Sequence, residues 1–191
     1  MYQSFAETGG DLGRATVFVL DEFGLPAGSP GRCDQMIKQD LLGLLDTQPA
    51  LVDKIDIEAT DLDEELKRYE EALRDGGLDL TILGLGQNGH LGLNEPGSSL
   101  DSVTRVVQLA AETGAHSLIY GSDRPATWGV TPGIDTLLAS SELWLLVTGA
   151  HKAEILVRTM TADIGPEVPA TFLRTHENVT VFADEDAAGL L

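Results

Sequence analysis

The sequence predicts an α/β protein: a mostly parallel sheet covered by helices on both faces, folded as a single domain over residues 1–191. Three observations carry this. Short apolar runs rich in β-branched residues recur along the chain, and each stops at glycines, a proline or a pair of acids. Stretches with helical spacing of apolar residues lie between those runs. The run at 78–83 ends in a loop where a histidine, two asparagines and a glutamate crowd between glycines, as expected of a buried strand delivering polar groups to the rim of a sheet.

Taken in order, Met1-Tyr2-Gln3-Ser4-Phe5 reads as the middle of an amphipathic helix, with no capping residue before it, so the chain is expected to begin inside an element. Residues 15–20 (ATVFVL) read as a buried strand that breaks at 21–26 (DEFGLP), a loop with two acids at the strand's end. Residues 33–45 have helical spacing, and 51–57 alternate like a half-buried strand. Asp61 starts a helix: it can cap, Glu64 follows three residues on, Gly76-Gly77 ends it, and Leu62, Leu66, Tyr69 and Leu73 share one face. Strands are expected at 78–83, 103–109 and, less clearly patterned, 126–130, the last leading to a helix over 133–139 started by Pro132. A strand at 142–148 stops at Gly149 and a helix at 151–160 follows directly. A short helix at 169–174 and a strand at 179–183 close the pattern. No repeat, low-complexity block or long linker divides the chain.

Composition narrows the partners. Twelve Lys and Arg against 31 Asp and Glu give a formal charge of −19. The average field therefore repels nucleic acid and anionic membranes. A phosphorylated metabolite needs a few cations concentrated at one place, and the only lysines are Lys38, Lys54, Lys67 and Lys152. No apolar stretch approaches spanning length, and residues 1–14 lack the basic start and apolar run of a signal peptide. One cysteine, Cys33, forbids an internal disulfide and fits a reducing cytoplasm; it reads as inert rather than nucleophilic.

The loops hold the chemistry. Residues 84–89 (GLGQNG) match G-x-G-x-x-G, but Gly92 and Pro96 forbid the long helix a dinucleotide site requires, and no acid ends a following strand at the distance that holds a ribose. The glycines instead allow a sharp turn and close approach to a small ligand. His90 is the strongest candidate for acid–base work, with Asn88 and Glu95 near enough to fix its tautomer. Asp21 and Glu22 end a different strand, where partial desolvation suits a carboxylate to act as a base; a turn acid capping the next segment explains the pair equally well. Lys152 follows another strand in the first turn of a helix and, with the amides there, makes an anion site. His90, His116, His151 and His176 have no metal-ligand spacing, and no G-x-S-x-G elbow occurs.

The segments LDEFGLP at 20–26, LGLGQNGHLGLNEPGSSL at 83–100 and VTGAHKA at 147–153 together resemble the glucosamine-6-phosphate deaminase/isomerase family, with the NGHLGLNEPG wording most similar to its galactosamine-6-phosphate isomerase branch. The 6-phosphogluconolactonases share the fold and a related Gly-His loop but lack the Asn94-Glu95-Pro96 seen here. The resemblance implies a three-layer Rossmann-like fold and a cytoplasmic enzyme of amino-sugar metabolism, able to form a homo-oligomer. It would convert glucosamine or galactosamine 6-phosphate to a ketose 6-phosphate and ammonia without metal or organic cofactor. By motif position, Asp21 would move a proton between C2 and C1, His90 would pass a proton to the ring oxygen, Glu95 would orient and polarise His90, and Lys152 would bind phosphate, with Gly86 and Gly89 beside it.

Two departures stand out. The deaminase pattern has Asp-Gly-His where this chain has Asn88-Gly89-His90; an amide accepts a bond from the imidazole N–H but does not offset imidazolium charge, so His90 is expected to be the weaker base. The family's Ser/Thr-Gly-x-Thr-Pro phosphate loop has no counterpart in residues 1–14, so the sheet is expected to lack its first strand. The family's phosphate-contacting arginine after Thr104 has no assigned match, although Arg124 is nearby. Two other readings stay open: a sugar-phosphate lactonase, and a catalytically impaired sugar-phosphate binding protein.

Overall fold

A computed structural model describes residues 1–191. In chain order the elements are α1 (Tyr2–Glu7), β1 (Thr16–Val19), β2 (Glu22–Phe23), α2 (Cys33–Asp40), β3 (Leu51–Lys54), α3 (Leu62–Gly76), β4 (Leu80–Gly84), β5 (Arg105–Gln108), α4 (Ala111–Ile119), β6 (Trp128–Thr131), α5 (Ile134–Leu138), β7 (Glu142–Val147), α6 (Ala153–Thr161) and β8 (Val179–Ala183). Three 3-10 turns join them at Leu42–Leu44, Ala150–Lys152 and Pro169–Thr175. The chain is a mixed α/β protein with parallel strand pairing and helices between the strands. Its contacts fall into two compact units, Met1–Glu65 with Gln108–Val130, and Leu66–Val107 with Thr131–Leu191. No helix is long and apolar enough to cross a membrane.

In the first unit β1 pairs in parallel with β3, Thr16 opposite Leu51 through Val19 opposite Lys54. The segment expected to be only a loop at 21–26 contains β2, which pairs antiparallel with β6, Glu22 opposite Val130. Helix α2 stops at Asp40, short of the expected Leu45: Leu41 leaves helical geometry and the chain tightens into a 3-10 turn. Helix α4 was not expected. Its Thr, Gly and Ser residues favour no helix and present no apolar stripe. It buries Thr113, Gly114 and Ser117 instead, and Gly114 permits an approach so close that a Cβ there would lie 1.9 Å from the Ala126 carbonyl oxygen. The Ser117 hydroxyl bonds the Gly114 carbonyl at 2.8 Å and accepts the Ala126 N–H at 3.2 Å.

In the second unit β4, β7 and β8 form a parallel sheet in that order. Leu80 faces Glu142 and Gly84 faces Leu146; Leu143 faces Val179 and Val147 faces Ala183. Leu143, Leu145 and Val147 alternate into the core along β7. Helix α3 turns Leu66, Tyr69 and Leu73 inward, the face its spacing predicts, and the Asp61 carboxylate accepts the Glu64 N–H at 3.0 Å as its cap. The helix expected at 151–160 begins two residues later as α6, after the 3-10 turn, and the one expected at 169–174 is 3-10 throughout. Beyond β8 the tail folds back: Ala187 is fully buried and Ala188 N–H bonds the Asp184 carbonyl at 2.9 Å.

Leu143 is fully buried at the centre of β7. Leu143→Ala should therefore destabilise the protein by about 2–5 kcal/mol, read as a lowered urea midpoint with unchanged slope.

Candidate active site

Because β4, β7 and β8 are parallel and matched in register, their carboxyl ends open onto one edge. Gly84 leads into the glycine loop, Val147 into the turn that carries Lys152, and Ala183 into Asp184. The glycine loop is pinned by its leucines: Leu85 bridges Leu91, Leu91 bridges Asn94, and Leu85, Leu91 and Leu93 are buried. The polar residues between them are held on this apolar frame.

Two glycines give the loop its shape. Gly86 N–H bonds the His90 carbonyl at 3.0 Å, and a Cβ at Gly86 would lie 2.3 Å from the imidazole, so only glycine lets the ring rest against the backbone. Gly89 has φ +87°, and a Cβ there would sit 2.6 Å from Val168 Cγ1. Its carbonyl accepts the Ala170 N–H at 2.9 Å, which ties the loop to the 3-10 turn at Pro169–Thr175.

His90, Asn88 and Glu95 form a chain of hydrogen bonds. Glu95 Oε2 accepts Asn88 Nδ2–H at 2.7 Å, and Asn88 Oδ1 lies 2.8 Å from His90 Nδ1 and accepts the His90 backbone N–H at 3.1 Å. The Glu95 carboxylate can only accept, so it fixes which end of the Asn88 amide it faces. That amide oxygen can only accept in turn, so His90 Nδ1 carries a proton. Nε2 is then the ring nitrogen whose protonation can change. Glu95 Oε2 is 3.8 Å from His90 Nδ1, and both side chains are mostly buried, 13% and 14% exposed. The carboxylate thus supports imidazolium charge through space, while the amide makes the direct contact.

Asn94 supports this chain from below. It is fully buried, and its Nδ2 donates to the Leu91 carbonyl at 3.0 Å and the Pro132 carbonyl at 2.8 Å. It holds the turn that presents Glu95, a role the sequence pattern did not separate from catalysis. Lys152 reaches the same loop from β7: its Nζ donates to the Leu85 carbonyl at 2.7 Å, and burial lowers its pKa from the usual lysine value. Gly149, where that turn begins, gives its N–H to the Asp184 carboxylate at 2.9 Å. Asp184 also accepts the Ala187 N–H at 2.8 Å; these two backbone donors hold its carboxyl below the ordinary value of 3.8.

In the first unit the acid pair at 21–22 divides. Asp21 is half-buried just after β1. Glu22 is 3% exposed and fully engaged: it accepts the N–H groups of Phe23 at 2.8 Å, Cys33 at 2.8 Å and Asp34 at 3.1 Å. It caps α2 from a distance, as the turn-acid reading expects of one member of the pair. Burial pushes the Glu22 carboxyl up, against the Cys33 and Asp34 amides and the Arg32 guanidinium. Arg32 is buried with it, Nε 3.3 Å from Glu22 Oε2 and 3.4 Å from Asp34 Oδ1. Burial, with Glu22 and Asp21 nearby, also drives the Cys33 thiol well above its usual pKa, which suits an inert cysteine.

The second unit therefore brings together six of the seven residues singled out from sequence: Asn88, His90, Glu95, Gly86, Gly89 and Lys152. Asp21 belongs to the first unit. Sequence reasoning did not find Arg32 or Asp184. An arginine closing a loop of glycines and prolines and an aspartate after the final strand carry no local signal of burial or capping.

These features define an α/β protein with an imidazole, a supporting carboxylate and a cation gathered at the carboxyl ends of parallel strands. The chain belongs to the family described as glucosamine-6-phosphate isomerases/6-phosphogluconolactonase, whose model matches residues 1–182. It is 40% identical over 173 residues to AgaI of Escherichia coli K12, a candidate deaminase, a match covering 88% of this chain and 67% of that protein. Against the glucosamine-6-phosphate deaminase of Shouchella clausii KSM-K16 it is 36% identical over 189 residues, covering 96% and 76%. The solved structure of a monomeric glucosamine-6-phosphate deaminase, described as a missing link of the NagB superfamily, superposes with a TM-score of 0.90 at 33% identity, covering 99% of this chain and 80% of that one.

Two outcomes follow from the geometry. Asn88→Ala removes the acceptor that holds His90 Nδ1–H, so ring ¹⁵N–¹H correlation spectra should change from the Nδ1–H tautomer toward the Nε2–H form. The depressed Asp184 pKa contributes stability that is present above the unfolded value of 3.8 and lost as pH falls through the folded one. Asp184→Asn should thus be less stable than the parent at pH 7, with the gap in urea midpoints closing below that value.

Proposed function

We propose that this protein is an amino-sugar-6-phosphate isomerase/deaminase, converting glucosamine or galactosamine 6-phosphate and water to a ketose 6-phosphate and ammonia. The observation that carries the reading is the Glu95–Asn88–His90 chain on the same loop whose Leu85 carbonyl holds Lys152: a histidine of fixed tautomer, and a cation suited to an anionic handle on that loop. The deaminases among its relatives support the substrate class.

In this reading Lys152 binds the 6-phosphate and gives up its bond to the Leu85 carbonyl as it does so. Gly86 and Gly89, packed against His90 and Val168, shape the loop that faces the sugar. His90, protonated at Nε2, delivers that proton to the ring oxygen as the C1–O5 bond breaks; the C1 hydroxyl gives up its own proton to water, and the open-chain aldehyde results. The imidazolium that precedes this step is supported by Glu95 at 3.8 Å and oriented by Asn88. Asp21 removes the C2 proton as O1 takes a proton from water, and returns it to C1 through an enediol-type intermediate that carries nitrogen at C2, the amine losing a proton to water; water then adds to the resulting C2=N bond and ammonia leaves, giving the ketose. Two groups thus serve two proton tasks, and one cation serves the phosphate.

Asp21→Asn should abolish ammonia release and ketose formation while circular dichroism and the urea midpoint stay near the parent's. His90→Gln should slow turnover, most with ring-closed substrate. Lys152→Met loses a charge-assisted bond worth ~1.5–3 kcal/mol, so KM for the phosphorylated sugar should rise by about 10- to 150-fold. Hydrolysis of 6-phosphogluconolactone without ammonia release from either amino sugar would replace this reading with a lactonase. Binding without any turnover would replace it with a sugar-phosphate binding protein.

A further inference from the structure

We infer that Glu22 is a positioning residue for the proton transfer at Asp21: its buried carboxylate locks the backbone that presents the Asp21 side chain. The inference rests on the reading of Asp21 as the base.

Leu20 and Asp21 are the only residues between two anchored strands. On the amino side, β1 is held by parallel pairing with β3, ending at Val19 opposite Lys54. On the carboxyl side, Glu22 and Phe23 pair with Val130 and Gly129, and Gly24 N–H bonds the Trp128 carbonyl at 2.9 Å. A two-residue ladder is short, and backbone pairing of that length is marginal without further support. The Glu22 side chain supplies the support. It bonds the N–H of its own neighbour Phe23 and reaches eleven and twelve residues ahead to Cys33 and Asp34, so β2 is bolted to the start of α2. Arg32, with its side chain 4% exposed, closes the remaining side.

Both carboxylate oxygens receive N–H donors, so neither position tolerates an NH2 group. Oε1 takes Phe23 and Cys33; Oε2 takes Asp34 and faces Arg32. Glu22→Gln is nearly isosteric, yet whichever way its amide turns, a donor meets a donor. The bolt loosens, and the residue before it gains freedom. Proton abstraction from carbon depends steeply on placement: a displacement of about 1 Å can cost ~100-fold in rate. Substrate binding through its phosphate does not involve this segment in the proposed mechanism, so KM should hold.

The test compares kcat and KM for ammonia release in the parent, Glu22→Gln, Arg32→Gln and Leu73→Ala, each checked for folding by circular dichroism. Leu73→Ala is the control, a truncation on the buried face of α3, expected to lose stability and to keep kcat within about two-fold. Folded Glu22→Gln should lose at least about ten-fold in kcat with KM within about two-fold. Arg32→Gln, which leaves the three N–H bonds in place, should show the same split at smaller size, and it decides the matter if Glu22→Gln does not fold. Parent-like kcat in the folded variant would overturn the inference. An Asp21→Asn variant that keeps turning over would instead overturn the assignment of the base, whatever the two variants at positions 22 and 32 show.

Discussion

Parallel pairing of β4, β7 and β8 in a single register is the constraint on which the second unit depends. Strands that run in one direction release their loops at one edge, and the register sets how level that edge is. Here Gly84, Val147 and Ala183 all end within one residue of each other along the sheet. The core enforces this alignment: Leu143, Leu145 and Val147 point inward on alternate positions, and a one-residue slip would turn all three to the half-buried opposite face. The histidine loop, the lysine turn and the capping aspartate meet for that reason, though Lys152 lies 62 positions after His90 and Asp184 a further 32.

Within that frame, polarity is handed on through groups with only one choice. The Glu95 carboxylate can only accept, so it orients the Asn88 amide; the amide oxygen can only accept, so it orients the imidazole. An aspartate at position 88 would bring negative charge into direct contact with Nδ1. The asparagine keeps the geometry and moves the charge out to 3.8 Å, on Glu95. The ring retains its tautomer through the amide while the carboxylate stands farther off, which separates orientation from direct charge contact.

The two adjacent acids of the first unit divide their tasks by a similar logic. Asp21 lies outside both strands while Glu22 begins β2, so their surroundings differ. Glu22 lies in β2, and its burial is tolerable because three backbone donors and an arginine meet it. Asp21 keeps partial exposure at the break between strands.

Most of the element order was legible from local pattern. The strand at 179–183 matched to the residue, and α3 showed both its inward face and its Asp61 cap, because apolar period and capping chemistry are properties of neighbouring residues. Residues 84–96 announced themselves through glycines that no ordinary strand or helix would contain, and the grouping of Asn88, His90 and Glu95 followed from closeness along the chain. What local pattern lacked was anything depending on distant partners. Helix α4 exists because Gly114 and Ser117 pack against the Ala126 backbone, and the burial of Glu22 depends on amides eleven and twelve residues away. The place of Lys152 at the Leu85 carbonyl, and the occupation of the Gly149 amide by Asp184, come from strand register alone. Short-range chemistry was written in the order of residues; which acid is buried and which cation meets the histidine loop emerged only when long-range pairing brought backbone donors and acceptors face to face.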